Sequence, residues 1–270
     1  MHLKTLLAGL SLRSATADME TEITHISYDS RTTAPGDVFV AMTGFATDGH
    51  AYIGKAVAAG AAAVVCERPP EDSSVPYVLV ENSRRALAVM AANYYGHPAD
   101  SMTMVAVTGT NGKTTTTYLL KAILEQELGA KVGLIGTNQD LIGDEVVPTE
   151  RTTPESLELQ ELFARMRSAG CTHVVMEASS HALALDRVYG IHYAVGIFTN
   201  LTQDHLDFHK TMEAYCDAKA ILFQNGDVGV CNADDPWTER LLQNAACRQY
   251  FYAEHAVVDL RAEQGSRKQK

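Results

Sequence analysis

A glycine-containing loop carries the clearest chemical signal in this sequence: Thr108-Gly109-Thr110-Asn111-Gly112-Lys113-Thr114-Thr115. An apolar run precedes the loop and a helix-forming segment follows it, which is the strand–loop–helix context that a phosphate-binding loop requires. In that context backbone N–H groups and the positive end of the helix dipole converge on an anion. Lys113 can reach the terminal phosphates of a nucleotide, and the Thr114 hydroxyl can ligate Mg²⁺. The loop therefore predicts a nucleotide phosphate site.

The loop departs from the common pattern G-x-x-x-x-G-K-[ST]. Val107 stands where that pattern has its first glycine, and the nearer Gly109 gives G-x-x-G-K-T. The alternative interpretation is a plain glycine turn before an ordinary helix, with Thr114 and Thr115 capping the helix N-terminus. The strand before the loop and the helix after it favour the phosphate site over this alternative.

A carboxylate is predicted beside this loop. The apolar, strand-like run at residues 174–176 ends in Glu177. Ligands of open α/β sheets bind beyond the carboxyl ends of the strands, so Glu177 should lie near the loop. There it can hold a magnesium ion directly or through water. The alternative is a solvated acid at a strand end.

Further along the chain, two segments contain residues that could bind a metal ion or act as a nucleophile. The apolar run at residues 196–199 leads into a polar stretch that contains Asp204, His205 and His209. Asp204 or His205 is a candidate metal ligand, whereas His209 can equally be a surface residue. Lys219 lies on a predicted helix, where its aliphatic stem can simply cover the core. A desolvated lysine has a lowered pKa, however, and its amine can then take up CO₂.

Alternating strands and helices must position these residues. Strands are predicted at residues 37–41, 62–66, 76–80, 102–107, 131–135, 173–177 and 194–199, and helices at residues 1–12, 49–60, 83–95, 114–128 and 156–169. This order predicts an α/β fold whose second part has a mostly parallel sheet flanked by helices. The polar stretch at residues 96–101 is the predicted boundary, which gives domains at 1–98 and 99–262. Residues 263–270 are polar and basic and are predicted to be a disordered tail.

The composition disfavours several function classes. The chain of 270 residues has 22 basic and 33 acidic side chains, a net charge of −11 that disfavours nucleic acid as a partner. Five cysteines are scattered without a C-x-x-C pair, as is typical of reduced thiols in the cytosol. No segment approaches the roughly 20 apolar residues that span a bilayer. We therefore expect a cytoplasmic protein without a membrane partner, and nothing in the sequence indicates its oligomeric state.

Several motifs together closely resemble the Mur ligases, and among them the branch that adds the third residue of the peptidoglycan stem peptide. The matching segments besides the phosphate loop are Asp29-Ser30-Arg31, Gly36-Asp37-Val38-Phe39-Val40-Ala41, Asp48-Gly49-His50, Thr152-Thr153-Pro154-Glu155, Glu177-Ala178-Ser179-Ser180-His181, Thr199-Asn200-Leu201-Thr202-Gln203-Asp204-His205-Leu206-Asp207 and Ala218-Lys219. The resemblance runs from about residue 23 to about residue 260. The joint occurrence of these motifs makes it highly specific.

The resemblance implies roles for individual residues. Those that would bind the phosphates of ATP are Gly109, Thr110, Asn111, Gly112, Lys113, Thr114 and Thr115. Thr114 and Glu177 would hold one Mg²⁺, and His205 and Lys219 a second, with Lys219 as its carbamate. Lys113, Glu177, His205 and Lys219 would form the catalytic set. The substrate contacts would be Ser30, Phe45, Ala46 and Thr47 to the uridine nucleotide and Thr152, Thr153, Ser179 and Arg187 to the muramoyl-dipeptide end. Arg151 and Leu185 replace the Asn and Gln of some relatives, so those two contacts are not carried over.

The implied activity is that of an ATP-dependent acid–amino-acid ligase of peptidoglycan synthesis, which serves cell-wall biogenesis, cell shape and cell division. ATP would phosphorylate the D-glutamate carboxylate of UDP-N-acetylmuramoyl-L-alanyl-D-glutamate, and the amine of a diamino acid would displace phosphate from the resulting acyl phosphate. The resemblance favours meso-diaminopimelate over L-lysine as that diamino acid. The family has three domains and this sequence ends where the third should begin. We therefore expect substrate binding without full ligase turnover.

Two other functions stay open. One is a non-catalytic protein that binds a nucleotide or the UDP-substrate. The other is a related ATP ligase with the same central domain, of the folylpolyglutamate or cyanophycin synthetase type. The resemblance of the first part of the chain to a uridine-binding domain argues against the second, because folate ligases lack that domain.

Overall fold

The computed structural model describes residues 1–44, 47–149 and 151–255. The chain divides into two compact units between His97 and Pro98. This division falls inside the polar stretch at residues 96–101. No helix in the described ranges is both long and apolar enough to cross a membrane. Phe45 and Ala46 of the predicted uridine loop, and the predicted tail at 263–270, lie outside the described residues.

The first unit is built on a five-stranded sheet with the order β1-β5-β4-β3-β2. Its strands are β1 (Leu12–Ala15), β2 (Ile26–Ser27), β3 (Val38–Val40), β4 (Ala63–Cys66) and β5 (Tyr77–Val80), and its helices are α1 (Leu3–Leu6), α2 (Ile53–Ala58) and α3 (Ser83–Tyr95). β1 pairs antiparallel with β5, and the other neighbours are parallel. Phe39, Ile53 and Val64 belong to a buried core that joins the sheet to α2.

Helix α3 begins and ends as the sequence predicts. The side chain of Asn82 accepts hydrogen bonds from the backbone N–H groups of Arg84 and Arg85, at 2.9 and 3.0 Å. These bonds satisfy N–H groups that have no partner inside the helix. Gly96 ends the helix with φ +69°, a left-handed conformation that favours glycine.

The second unit is built on an eight-stranded, mostly parallel sheet with the order β13-β12-β11-β6-β10-β7-β8-β9. Its strands are β6 (Thr103–Thr108), β7 (Val132–Ile135), β8 (Asp140–Ile142), β9 (Glu145–Val147), β10 (His173–Glu177), β11 (Tyr193–Phe198), β12 (Gly226–Asn232) and β13 (Arg248–Tyr252). Its helices are α4 (Lys113–Leu128), α5 (Ser156–Ser168), α6 (Ser180–Ala184), α7 (Leu206–His209), α8 (Met212–Ala220) and α9 (Thr238–Leu241). Only the β7–β8 and β8–β9 pairings are antiparallel.

Helices pack on both faces of this sheet. The apolar runs of β6 and β10 are buried on both sides, as is typical of central parallel strands. On one face the sheet shares a core with α5, including Phe163 and Met166. On the other face Leu120 and Leu124 of α4 pack against Val105, Val132 and Val175. The predicted α/β fold with a mostly parallel, helix-flanked sheet is confirmed.

Some elements differ from the sequence-based expectation. The helix predicted at residues 1–12 is a single turn, and Leu12 instead begins β1, whose four residues are all exposed and therefore show no alternation. The segment predicted as a helix from residue 49 starts as the 3₁₀ turn Gly49–Tyr52. The hairpin β8–β9 and the strands β12 and β13 were not predicted. Gly226 and Gly229 interrupt the apolar pattern of β12, because glycine contributes no side chain to it.

Candidate active site

Three neighbouring parallel strands bring the predicted site residues to one edge of the second unit's sheet. β6 lies between β10 and β11, with Val107 opposite Glu177 and Thr108 opposite Phe198. Because the three strands run in the same direction, the segments that follow them meet at their carboxyl ends. The phosphate loop follows β6, Glu177 closes β10, and Thr199 follows β11.

The phosphate loop needs glycine at two positions. Gly109 has φ +148°, and Gly112, directly before α4, has φ +85°. A Cβ on Gly109 would lie 1.9 Å from Oγ1 of Thr199 and 3.1 Å from the backbone N and O of Asn200. Close approach of two backbone segments therefore requires glycine at position 109.

The segment after β11 supports the loop through hydrogen bonds. Thr199 Oγ1 donates to the carbonyl of Asn111 at 2.7 Å. The Asn200 side chain accepts from the Asn111 N–H at 3.0 Å and donates to its carbonyl at 3.1 Å. The Thr110 N–H donates to the Asn200 carbonyl at 2.8 Å. From the sequence, Thr199 and Asn200 are expected only to lie near the phosphate loop. The hydrogen bonds show that they hold the backbone of the loop in place.

Lys113 is folded over the loop. Its Nζ donates to the carbonyl oxygens of Gly109 and Thr110, at 2.9 and 3.0 Å. Burial lowers the pKa of Lys113 from its ordinary value, and the nearby Glu177 and Asp204 oppose that shift. A phosphate in the loop would offer this ammonium group a stronger, charged acceptor than two carbonyls. Thr115, in the first turn of α4, is exposed.

Glu177 is completely buried. The Thr114 hydroxyl donates to its Oε1 at 2.9 Å, and the Thr137 N–H donates to the same oxygen at 3.0 Å. The Thr137 hydroxyl donates to Oε2, also at 3.0 Å. Burial and these contacts exclude a solvated acid at this strand end. A hydroxyl and a carboxylate held together are the oxygen ligands that Mg²⁺ prefers.

Thr137 also contacts this carboxylate, and the sequence patterns did not identify it. It lies in the turn after β7, which is the strand on the other side of β10. A Cβ on Gly136 would lie 2.6 Å from Oε1 of Glu177, so the turn closely contacts the carboxylate. The buried Asp140 accepts the Gly136 N–H at 3.2 Å, and burial raises the pKa of Asp140 to about 6. The available signal was a polar residue two positions after the end of an apolar strand.

Lys219 is buried under the phosphate loop. Its side chain is among the largest that are fully buried, and its Nζ donates to the carbonyl of Gly109 at 2.9 Å. The same Nζ lies 4.5 Å from the centre of the Tyr215 ring. Burial, and secondarily the charge of Lys113, lowers the pKa of Lys219 to about 7. A lysine stem covering the core with its amine in solvent is therefore the wrong interpretation.

His205 lies beside other aromatic side chains. It has φ +51° directly before α7, and its ring contacts those of His181 and Tyr215 at centroid distances of 4.9 and 6.1 Å. Asp204 lies alongside, with Oδ2 at 3.5 Å from Nε2 of His205. His209, which could have been a surface residue, is buried and has Nε2 at 2.9 Å from the Ser180 hydroxyl.

The described residues fit a magnesium site that is completed by the nucleotide. Within residues 1–44, 47–149 and 151–255, no group of three or more histidine, cysteine or acidic side chains could hold a metal by itself. Thr114 and Glu177 nevertheless place two oxygens 2.9 Å apart beside the phosphate loop. Mg²⁺ characteristically takes one or two protein ligands, with phosphate oxygens and waters as the rest.

The residues predicted to hold the muramoyl-dipeptide end cluster beside Glu177. Thr153 Oγ1 donates to the Glu177 carbonyl at 2.8 Å and accepts the Ser179 N–H at 3.2 Å. Arg187 donates to the Thr153 carbonyl at 3.1 Å and pairs with Glu155, whose Oε1 is 2.5 Å from its Nε. Thr152 Oγ1 lies 3.0 Å from Oγ1 of Thr137. These contacts connect the predicted substrate residues to the predicted metal ligand.

The structure shows where the two residues that depart from the family pattern lie. Arg151 lies 3.4 Å from Oε1 of Glu155, so Glu155 lies near two arginines. Leu185 ends α6 and is half-buried.

In the first unit, two of the predicted uridine contacts can be described. Ser30 is half-buried in a turn where the Asp29 carboxylate accepts the Arg31 N–H at 2.9 Å. The Arg31 side chain and N–H hold the pKa of Asp29 below its usual range. Thr47 is exposed, and its carbonyl accepts the Gly44 N–H at 2.9 Å.

Two parts of the chain match known domain families. Residues 107–270 match the Mur ligase middle domain, and residues 22–95 match the domain described as Mur ligase family, catalytic domain. The first match covers more than half of the chain and includes the phosphate loop, Glu177 and the other described site residues of the second unit.

Individual relatives agree with these matches. The chain is 47% identical over 267 residues to the UDP-N-acetylmuramoyl-L-alanyl-D-glutamate–2,6-diaminopimelate ligase of Clostridium tetani, which covers 97% of this chain and 55% of that protein. It is 48% identical, with the same coverage, to the protein of that name from Clostridium botulinum. A solved structure of a ligase with this name has a TM-score of 0.75 at 25% identity, covering 96% of this chain and 55% of that one. The chain thus spans about half the length of the curated relatives it matches.

Proposed function

Because the chain belongs to the Mur ligase family, we propose that the protein acts in the ATP-dependent attachment of diaminopimelate to UDP-N-acetylmuramoyl-L-alanyl-D-glutamate. The observation that carries this proposal is the phosphate loop with Thr114 hydrogen-bonded to a fully buried Glu177. The substrates are those named for the relatives from Clostridium tetani and Clostridium botulinum. A role in peptidoglycan synthesis and a cytoplasmic location follow as parts of the same proposal.

In this proposal the loop binds the phosphates of ATP. The backbone N–H groups at the start of α4 point at the anion, and Lys113 leaves the Gly109 and Thr110 carbonyls for phosphate oxygens. Thr114 and Glu177 would hold Mg²⁺, which when bound offsets charge on the transferred phosphoryl group. Fixed positive groups in a partly buried site stabilise developing negative charge more strongly than water does.

The substrate carboxylate would be held by the cluster beside Glu177. Thr152, Thr153 and Ser179 offer hydroxyl groups, and Arg187 offers a guanidinium that Glu155 and the Thr153 carbonyl already orient. Ser30 and Thr47 of the first unit remain predictions for contact with the uridine nucleotide. The match of residues 22–95 to a Mur ligase domain supports this family's substrate over a folate.

Calorimetric titration of the 270-residue chain tests the proposed substrate. We expect saturable binding of UDP-N-acetylmuramoyl-L-alanyl-D-glutamate and no binding of a folate. Arg187→Lys keeps the charge but removes the planar guanidinium, so the affinity should fall about ten-fold. Arg165→Lys is the matched control, because Arg165 is exposed and pairs with the exposed Glu145, so this substitution should leave the affinity unchanged. Preferential binding of the folate, or no binding of the nucleotide sugar, would contradict the proposal.

A further inference from the structure

Thr137 lies between a proposed metal ligand, Glu177, and a proposed substrate residue, Thr152. Its N–H and hydroxyl donate to Oε1 and Oε2 of Glu177, each at 3.0 Å. Its Oγ1 also lies 3.0 Å from Oγ1 of Thr152. Thr137 is exposed on its turn, whereas Glu177 is fully buried. The threonine thus contacts the proposed metal ligand on one side and a proposed substrate residue on the other.

The number of hydrogens that each group can donate fixes the direction of these hydrogen bonds. A carboxylate only accepts, and the Thr137 hydroxyl has a single hydrogen, which it donates to Glu177. In the hydrogen bond between the two threonine hydroxyls, Thr152 is therefore the donor and Oγ1 of Thr137 is the acceptor. The result is a continuous chain in which Thr152 donates to Thr137 and Thr137 donates to Glu177.

The contacts of Thr137 with Glu177 do not depend on the Thr114 hydroxyl. The Thr114 hydroxyl donates to Glu177, but as a magnesium ligand it would turn a lone pair to the cation. Among the described side-chain contacts of Glu177, only those of Thr137 would then hold the carboxylate in place. The Glu177 carboxylate can accept from Thr137 and bind a cation at the same time, because its two oxygens offer about four lone-pair positions.

We propose that Thr137 is a positioning residue that couples substrate contact at Thr152 to the Glu177 carboxylate. A substrate oxygen that draws the Thr152 hydrogen to itself removes the donor from Thr137. The Thr137 hydroxyl is then less polarised and donates more weakly to Glu177. The carboxylate becomes a better ligand for a cation, so the substrate tightens the binding of Mg²⁺ and ADP. This coupling rests on the proposed function, because it needs both ligands to bind.

The test is a pair of titrations with ADP and Mg²⁺, without and with saturating UDP-N-acetylmuramoyl-L-alanyl-D-glutamate. In the wild-type chain the substrate should raise the affinity for Mg²⁺ and ADP about five-fold, a modest coupling between sites. In Thr137→Val that ratio should fall to about one, and Thr137→Ser should restore it. Thr152→Val should also give a ratio near one, and the double variant should show no further change, because both substitutions interrupt one chain.

The ratio separates coupling from a structural effect, because a purely structural role would change both affinities and leave the ratio intact. Thr172→Val is the matched control and should keep the wild-type ratio, since Thr172 precedes the opposite end of β10 and contacts His173. A five-fold ratio that persists in Thr137→Val, or a wild-type ratio of one with both ligands bound, overturns the coupling and leaves the proposed function standing. If the wild-type chain binds neither ligand, the proposed function fails and the coupling with it.

Discussion

Gly109→Ala is expected to abolish measurable nucleotide binding and to lower the free energy of unfolding. The new Cβ would lie 1.9 Å from Oγ1 of Thr199 at a residue with φ +148°. Thr199 cannot move away freely, because that oxygen donates to the Asn111 carbonyl at 2.7 Å. The backbone N and O atoms of Asn200 also lie only 3.1 Å from the new Cβ, so the Cβ cannot move in that direction either. The loop must therefore shift, and with it the carbonyl that both Lys113 and Lys219 contact.

The affinity for Mg²⁺ and ADP should fall at least about 100-fold, because a shift of one ångström misplaces every phosphate contact. The free energy of unfolding should fall by about 2–4 kcal/mol, the range for strain combined with a buried clash. Gly129→Ala is the matched control at the other end of α4. Gly129 also has a positive φ, +61°, but a Cβ there meets nothing within 4 Å. It should cost about 1 kcal/mol of stability and leave binding intact. Equal effects of the two substitutions would contradict the role assigned to the loop.

We expect the wild-type chain to form a carbamate at Lys219 with dissolved CO₂, and Lys219→Arg to lack it. The pKa of Lys219 is lowered to about 7, so near neutral pH about half of its amine is unprotonated. An exposed lysine with a pKa near 10.4 is less than about 0.1% unprotonated there. The neutral amine adds to the carbon of CO₂, and the nitrogen loses a proton as the N–C bond forms. The product is an anionic oxygen ligand suited to Mg²⁺.

Carbon-13 NMR with labelled bicarbonate should show a carbamate resonance in the wild-type chain that is missing in Lys219→Arg. Its intensity should rise between pH 6 and pH 8, because the unprotonated fraction grows as pH passes through the pKa of about 7. Lys121→Arg is the control, since Lys121 is also buried but its Nζ pairs with Oε1 of Glu125 at 2.5 Å. A resonance that survives in Lys219→Arg would rule out this residue as its source.

The sequence predicted the parts of the site that depend on short-range pattern. Continuous apolar runs identified β6 and β10, and the rule for parallel strands placed Glu177 near the phosphate loop. Helix α3 was predicted from Ser83 to Tyr95, with its end given by Gly96 and by Pro98 just beyond. These signals are local and need no knowledge of which strands are neighbours.

Other features depend on contacts that sequence pattern does not encode. Thr137 contacts Glu177 across 40 residues, and Lys219 contacts Gly109 across 110. Both contacts follow from the strand order, in which β7 and β11 lie on opposite sides of the β6–β10 pair. For Lys219 the residues alone left open whether its amine lay in solvent or in the core. β1 was missed because a fully exposed strand has no alternation of apolar and polar residues.

We propose that the loop and Glu177 form a nucleotide site that needs magnesium. Calorimetric titration of the 270-residue chain with ADP, in Mg²⁺ and then in EDTA, tests it most directly. We expect one saturable site whose affinity falls at least about ten-fold without the metal, since a cation bridging Glu177 and phosphate adds a strong charge interaction. In Glu177→Gln the affinity in Mg²⁺ should fall to the level seen in EDTA. Absence of ADP binding, or an affinity that is the same with and without Mg²⁺, would contradict the claim.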